Sequence, residues 1–544
     1  MGYADLILSG GRVFCGLHEG FADAVAIHGD RIVAAGTRDA VEALAGPGTR
    51  RVDLGGRLAI PAFNDAHQHL LPLGLGMLNV NLRAEEVRTL DELLTRISNA
   101  AKRTPKGQWV LGRGYDHAEL DVNRHPTVDE LTAAAPDNPV FITRTCGHMG
   151  VANAAALAVA EVGHNTPDPE GGVIERRAGR LTGLFQERAM RLLRDCMPEP
   201  SDAALVDAIE RAGQHMVRQG FTAVMDMNVG MAGGMRELDA YRIAHAEKRS
   251  PLRTWLCLSG NPEGIADEAW AAGVRPDDGD EMLRFAAMKV FGDGSAGGLT
   301  AAMFEPYVQG GTGVFCFPEA RMHELLAKYH AQGWQLAIHA IGDAAIDQVL
   351  VGMEKADSAA QPVAGRRHRI EHCGFLTSGQ MARMAARGIE PVPQPVFMYE
   401  FGDLYVTNLG QERTDAAYPM RKWFDTGLHP AASSDAPVST TDPFKNLFTM
   451  TTRMTNRHTV LGEAQKLSMA EAIHAYTYFG AYTQFAEDKV GRLVPGQLAD
   501  IAVLSHDVFS IHPDVLEKDA RCDLTILGGE VVFDRLGQVA VAAE

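Results

Sequence analysis

The sequence predicts an α/β chain: a (β/α)8 barrel with an inserted subdomain after its first strand and a small β-domain formed by both termini. Three observations predict it. Apolar strand-like runs alternate with helical stretches through the middle of the chain, the pattern of βαβ units and a parallel sheet. Both ends instead read as short strands and tight turns. From His69 to Thr222 the regular spacing lapses, whereas the later runs follow one another at βα intervals.

Residues 5–58 read as DLILSGGRVF, DAVAIHGDRIVAAG and RRVDLGGRLAI, with Gly-Gly and Gly-Asp marking hairpins and a short helical piece near 38–45. The far end repeats this style in GRLVPGQLADIAVL and CDLTILGGEVVFD. Each piece is too small to bury a core alone, so the two ends are expected to meet. The strand runs of the middle are Ala59–Phe63, Val140–Thr143, Thr222–Met225, Arg253–Leu258, Ala286–Phe291, Leu336–His339, Arg369–His372, Ile389–Val392 and Pro430–Ser433. That is one more than a barrel needs. Val140–Thr143 falls in the irregular interval and is assigned to the insertion. The domains expected are therefore 1–58 with 490–544 for the β-domain, 59–71 with 201–489 for the barrel, and 72–200 for the insertion. The barrel resumes at the helix 202–219, which stops at Gly220.

Composition narrows the function. The 544 residues are 46% hydrophobic and 22% charged, an ordinary globular balance. A formal net charge of −18 with no basic stripe argues against nucleic acid or an anionic membrane as partner. Seven scattered cysteines form no Cys-x-x-Cys pair, which favours a reducing cytoplasm over a disulfide framework. The N-terminus shows no signal-peptide pattern, and no apolar run reaches the roughly 18 residues of a membrane helix.

The chemistry begins in LAIPAFNDAHQHL, residues 58–70. His67 and His69 are two apart, so on an extended backbone both project to one side and can offer two nitrogens to one metal ion. Active sites of barrels sit at the C-terminal ends of the strands. Later runs end there in suitable groups: Lys289 in AAMKVFGDGS, His339 in QLAIHAIGD, His372 in HRIEHC and Asp435 in AASSDAP. Singly, each has a plainer explanation: a snorkelling lysine, satisfied core histidines, a Ser-Asp turn. Their order on strands one, four, five, six and eight is what marks them as a set. His117, His125, His164, His458 and His474 show no ligand spacing.

With these motifs the chain resembles the amidohydrolase superfamily, in particular the branch that includes N-substituted formamide deformylases. The resemblance runs nearly end to end, through GGVIERRAGRLTGLFQERA (171–189), KVFGDGSAGGLTA (289–301), IHAIGDAAID (338–347), IEHC (370–373), SSDAPV (433–438) and the closing GRLVPGQLADIAVL. It implies a TIM barrel with a β-sandwich built from both chain ends. It implies two divalent metal ions, usually zinc: His67 and His69 with Asp435 on the first, His339 and His372 on the second. Lys289 would bridge them as a carbamate made with carbon dioxide. N-carboxylation turns an ammonium, which repels cations, into an anion with two donor oxygens.

The activity implied is hydrolysis of an amide-type carbon–nitrogen bond in a small molecule, an N-formyl or N-acyl amine or a cyclic amide. Asp435 would act as the base. Heterocycle deamination and ester or carbamate cleavage are the alternatives within the superfamily, although deaminases often use one metal and need no strand-four lysine. Outside it stands a catalytically silent binding or regulatory protein. In the insertion, Tyr115, Asp116 and His148 are candidates for contacting substrate, with His148 also a candidate donor to its carbonyl. Asp343 is a candidate for orienting an imidazole, and Asp293 for shaping the turn after Lys289. Assembly is left open, a homodimer included. The chain departs from the pattern at Ala62, Asn64 and Gln68; Asn64 is polar where relatives are apolar.

Overall fold

The computed structural model describes residues 2–83, 86–144, 149–169 and 172–538. Its central feature is a seven-stranded parallel sheet curled into a nearly closed barrel. In chain order the strands are β1 (Phe63–Gln68), β2 (Phe221–Val229), β3 (Arg253–Ser259), β4 (Leu283–Phe291), β5 (Gln335–Ala340), β6 (Arg369–His372) and β7 (Glu390–Val392). Nearly every residue of these strands is buried. That is why they read as continuous apolar runs rather than as alternating ones.

Two expectations need correcting at the barrel seam. The predicted first strand, Ala59–Phe63, is two strands. Leu58–Pro61 pairs with Arg12–Gly16 and with Ile501–Leu504, whereas β1 starts only at Phe63 and pairs with β2. The chain changes sheets at Ala62, whose N–H bonds to the Asp500 carbonyl. A continuous apolar run conceals such a change because both strands are buried. The predicted eighth strand, Pro430–Ser433, is irregular chain without a ladder. Ala431 N–H bonds to Pro391 O beside β7, and Asp435 N–H bonds to His67 O on β1. Pro430 supplies no N–H, and Asp435 sits at φ 57°, so a regular ladder cannot form here.

Helices return the chain between strands, among them Met235–Ala246, Glu319–Ala331, Asp343–Ala356 and Ser378–Arg387. The last shows why such segments start and stop where they do. Thr377 and Gln380 form a reciprocal capping box, and Gly388 ends the helix at φ 63°.

Strands from the two chain ends share a six-stranded sheet: Leu58–Pro61, Arg12–Gly16 and Gly20–Ala22 beside Ile501–Leu504, Cys522–Leu527 and Glu530–Asp534. A second, four-stranded sheet holds Ala4–Ser9, Ala24–His28, Arg31–Gly36 and Ala45–Asp53. One apolar cluster draws on both sheets, including Leu6, Val25, Ile27, Val503 and Leu524.

Contacts divide the chain into two compact units, 1–73 with 209–544, and 74–208. The second has its own six-stranded sheet and its own cores, one around Leu82, Leu93, Ile97, Tyr115, Val140 and Ile142. No helix among the described residues is long and apolar enough to cross a membrane.

Candidate metal centre

The C-terminal ends of the barrel strands bring the sequence-predicted residues of the first unit together. His67 is the penultimate residue of β1, and His69 lies just past its end, before the helix α1 (Leu70–Leu78). Lys289 is on β4, His339 on β5 and His372 closes β6. Asp435 lies two residues past Ser433, where its N–H bonds to the His67 carbonyl. Donor atoms of His67, His372 and Asp435 all fall within 4.8 Å of one another. His69 Nε2 is 3.1 Å and His67 Nε2 3.3 Å from Asp435 Oδ1. Lys289 Nζ is 3.5 Å from His67 Nε2, and the His339 ring centre is 4.4 Å from that of His372.

Hydrogen bonds at the far side of each ring fix which nitrogen faces the cluster. His67 Nδ1 is 2.6 Å from Glu371 Oε2, and His69 Nδ1 is 2.9 Å from the Met227 carbonyl oxygen. His372 Nδ1 is 2.6 Å from Gln394 Oε1, whose own amide nitrogen donates to Val392 O and Ser433 Oγ. Each acceptor requires an N–H on Nδ1, so each Nε2 carries a lone pair. Three lone pairs thus converge with a carboxylate whose buried Oδ1 receives no hydrogen bond. Such a donor set fits a divalent cation: acceptors converge, and the opposite edges are held by orienting partners. His339 differs, because its Nε2 meets Gly294 O at 3.0 Å, which leaves Nδ1 as its lone-pair nitrogen.

Charge favours neutral rings at His67 and His372, whereas the His69–Asp435 contact also suits a proton held between the two. Burial would raise the Asp435 pKa, but His67 and His69 hold it well below the usual carboxylate range. Burial would lower His69, yet contact with Asp435 leaves it raised. His67 and His372 are lowered by burial, which favours neutral imidazole. Burial also lowers Lys289, favouring the neutral amine. His372 and Asp435 adopt left-handed backbone at φ 67° and φ 57°. Strain of this kind persists where the surroundings over-determine a conformation.

Several supporting residues went unread in the sequence. Glu371 is fully buried and takes two hydrogen bonds from Arg369, at 2.7 and 2.9 Å, besides orienting His67. Burial would raise its pKa, but Arg369 brings it down to about 2. The available signal was Arg-Ile-Glu in HRIEHC: two opposite charges, two apart, in a buried strand. Asp226 accepts the N–H groups of Leu70 and Leu71 and the Tyr241 hydroxyl, which anchors the start of α1 directly after His69. Gln394 gave no sequence signal.

The insertion candidates fare differently. Tyr115 packs in the core of the second unit, with its hydroxyl 2.9 Å from His125 Nδ1. Asp116 forms a two-pronged ion pair with Arg144. His148 lies outside the described residues. Asp343 does not orient an imidazole; it accepts the Phe304 N–H. Asp293 stands beside His339 instead, 3.4 Å from Nε2, and binds the N–H groups of Ala302, Ile341 and Gly342.

Residues 50–533, nearly the whole chain, match the Amidohydrolase family. The chain belongs to the amidohydrolase family. It is accordingly a hydrolase acting on carbon–nitrogen bonds. It is 30% identical to the N-substituted formamide deformylase of Arthrobacter pascens, over 95% of this chain and 96% of that protein. It is also 30% identical to Protein LONG AFTER FAR-RED 3 of Arabidopsis thaliana, over 97% of this chain and 92% of that one. Among solved structures it is similar to an uncharacterized metal-dependent hydrolase from Pyrococcus horikoshii OT3. There the TM-score is 0.77 at 26% identity, over 94% of this chain and 99% of that one.

Proposed function

We propose that this amidohydrolase is a cytoplasmic, binuclear metal enzyme that hydrolyses the amide-type bond of an N-formyl or N-acyl amine. The observation that carries the reading is the convergence of three imidazole lone pairs on Asp435, each ring held from behind. His67, His69 and Asp435 would hold one divalent ion, and His339 and His372 a second, zinc being the first candidate. Lys289 would join them as its carbamate, its neutral amine favoured by burial. A divalent pair supplies Lewis acidity, which polarises a carbonyl and makes water acidic enough to attack near neutral pH.

The chain's own groups do the rest. Asp435, held well below the usual carboxylate range and so ionised, takes a proton from the attacking water and delivers it to the departing nitrogen. Glu371, Gln394 and the Met227 carbonyl keep the imidazoles in the tautomer that points lone pairs inward. The domain division 1–58 with 490–544, 59–71 with 201–489, and 72–200, and a sandwich of the two terminal sheets, belong to the same proposal. A reducing compartment agrees with the cysteines, which are unpaired among the described residues.

Two substitutions test it. Asp435→Asn is expected to keep bound metal yet lose at least about 10³-fold in kcat; wild-type-like turnover by the metal-loaded variant would remove Asp435 from its role. Lys289→Ala is expected to lose its metal pair and regain part of its activity with an added short carboxylic acid. Full activity without the additive would defeat the bridging assignment. Metal content separates the readings: two equivalents fit the hydrolase, and one fits a deaminase.

A further inference from the structure

The second unit, 74–208, has a cavity of about 290 Å³ on one face of its sheet. That is close to the lower end of small-molecule pockets. The strands Val110–Tyr115 and Val140–Arg144 pair in register, Leu111 beside Phe141 and Arg113 beside Thr143. Side chains two apart on a strand share a face, so Leu111 and Phe141 form an apolar floor next to the Arg113 side chain. Met197 adds an apolar wall, and Asn79 and Arg194 complete the polar side.

Arg113 is the unusual group. It is half-buried, and among the described residues no hydrogen bond or ion pair holds its guanidinium. Burial lowers its pKa, and Arg83 and Arg194 lower it further, with no carboxylate acting the other way. Arg83 is seated by close packing: a Cβ on Gly114 would come 2.6 Å from Arg83 Cγ, and Gly114 takes φ 95°. Sealed nitrogens without a partner occur at Arg284 and Arg492, whereas those of Arg113 are open to the cavity it lines. The Asn79 amide is likewise half-buried, open and without a partner among the described residues.

Other arginines of this unit are neutralised from within: Arg124 by Glu130, Arg144 by Asp116 and Arg176 by Asp168. A chain with a formal net charge of −18 has carboxylates to spare, yet here three cations gather around a cavity without one. Such a field attracts an anion from solution. The guanidinium fork matches the paired oxygens of a carboxylate or phosphate, and the apolar floor suits a body attached to them. We propose that this cavity binds a small organic anion, a carboxylate or phosphate on an apolar body, held by Arg113 with Arg83 and Arg194 in support. The site does not depend on which bond the metal centre hydrolyses.

The test is calorimetric titration of the metal-loaded protein with benzoate, phenyl phosphate, inorganic phosphate and neutral benzyl alcohol. Benzoate or phenyl phosphate should saturate one site, and the tighter of the two names the anion. Benzyl alcohol should bind at least about 10-fold more weakly, and so should inorganic phosphate, which cannot use the floor. Arg113→Met should weaken the tighter anion at least about 10-fold, the worth of a charge-assisted hydrogen bond. Arg113→Lys, which keeps the charge and loses the fork, should fall between Arg113→Met and the wild type. His67→Ala should leave the affinity unchanged. Loss in His67→Ala with none in Arg113→Met would put the anion at the metal centre and overturn the proposal, as would the absence of saturable binding.

Thermal unfolding at constant ionic strength guards against a variant that has merely lost its fold. At about 100 times its Kd, the tighter anion should raise the wild-type Tm by about 3 °C or more. Arg113→Met, relieved of a crowded charge, should melt no lower than the wild type without anion and gain nothing with it. Arg83→Met, at an exposed position, should also lose affinity while keeping its Tm. An anion-induced rise that survives in both variants refutes the site.

Discussion

Glu371 shows how much of this centre depends on residues that never face a substrate. One oxygen holds His67, and both accept from Arg369, whose guanidinium also donates to the Ala66 carbonyl on β1. A buried charge is tolerable only when it is paired. Glu371→Gln is therefore expected to weaken divalent-metal binding about 10–100-fold, as measured by competition with a chelating dye. It should also destabilise the fold by about 3–5 kcal/mol in denaturant titrations, because Arg369 would stay buried without its counter-charge. The candidate ligands near the strand tips were legible as candidates because a polar group in or at the end of an apolar run is conspicuous. Their supporters were less so. Asp293 and Asp343 both stand in Gly-Asp pairs, and only tertiary placement puts Asp293 beside His339. Asn64, unexplained in the sequence, donates to Gln484 across a close approach in which a Cβ on Gly480 would come 3.0 Å from the Asn64 side chain.

Among the elements, those with local signals matched and those defined by partners did not. The helix Asp202–Val217 ends before Gly220, which takes φ 92° as its position suggested. β2 to β7 lie where apolar runs placed them. The division of Leu58–Gln68 into two strands was hidden, because sheet membership depends on which chain end lies alongside. The eighth strand failed for the opposite reason: the residues are buried beside β1, but Ser434 bonds to the Asp65 side chain rather than to the β1 backbone. In the second unit, Asn153 links elements by itself. Its Oδ1 accepts from Val140 and Ala156, and its Nδ2 donates to Ala135 O and Asn138 O. Asn153→Ala leaves four backbone groups without this partner in a fully buried place. A loss of about 3 kcal/mol or more is expected in urea unfolding followed by probes in 74–208.

At the scale of the whole molecule, each unit carries buried groups that make its stability depend on pH. In 74–208, His125 is pushed down to about 4 by burial, and Glu130 to about 2, chiefly by its hydrogen bonds from Arg124. Both bind fewer protons folded than unfolded, so both contribute stability that is lost as pH falls, first below about 6.5 and then below about 4.5. The other unit contains groups of both signs: burial raises Asp65 to about 7 and Asp226 to about 6, whereas it lowers His474 to about 3 and His368 well below the usual range. Hydrogen exchange in 74–208, corrected for intrinsic rates, should therefore quicken as pH goes from 7 to 4.5. Unchanged protection in 74–208 over that range would contradict this. The barrel was legible at this scale because its βα rhythm is a property of the chain. How substrate is selected was not, because pocket shape depends on the loops after the strands. The account as a whole stands on the claim that six side chains from five barrel positions hold two divalent ions. Elemental analysis of the protein, dialysed after loading with zinc and bicarbonate, tests it most directly. Two equivalents per chain, lost in His67→Ala, are predicted; a protein that retains no metal would contradict it.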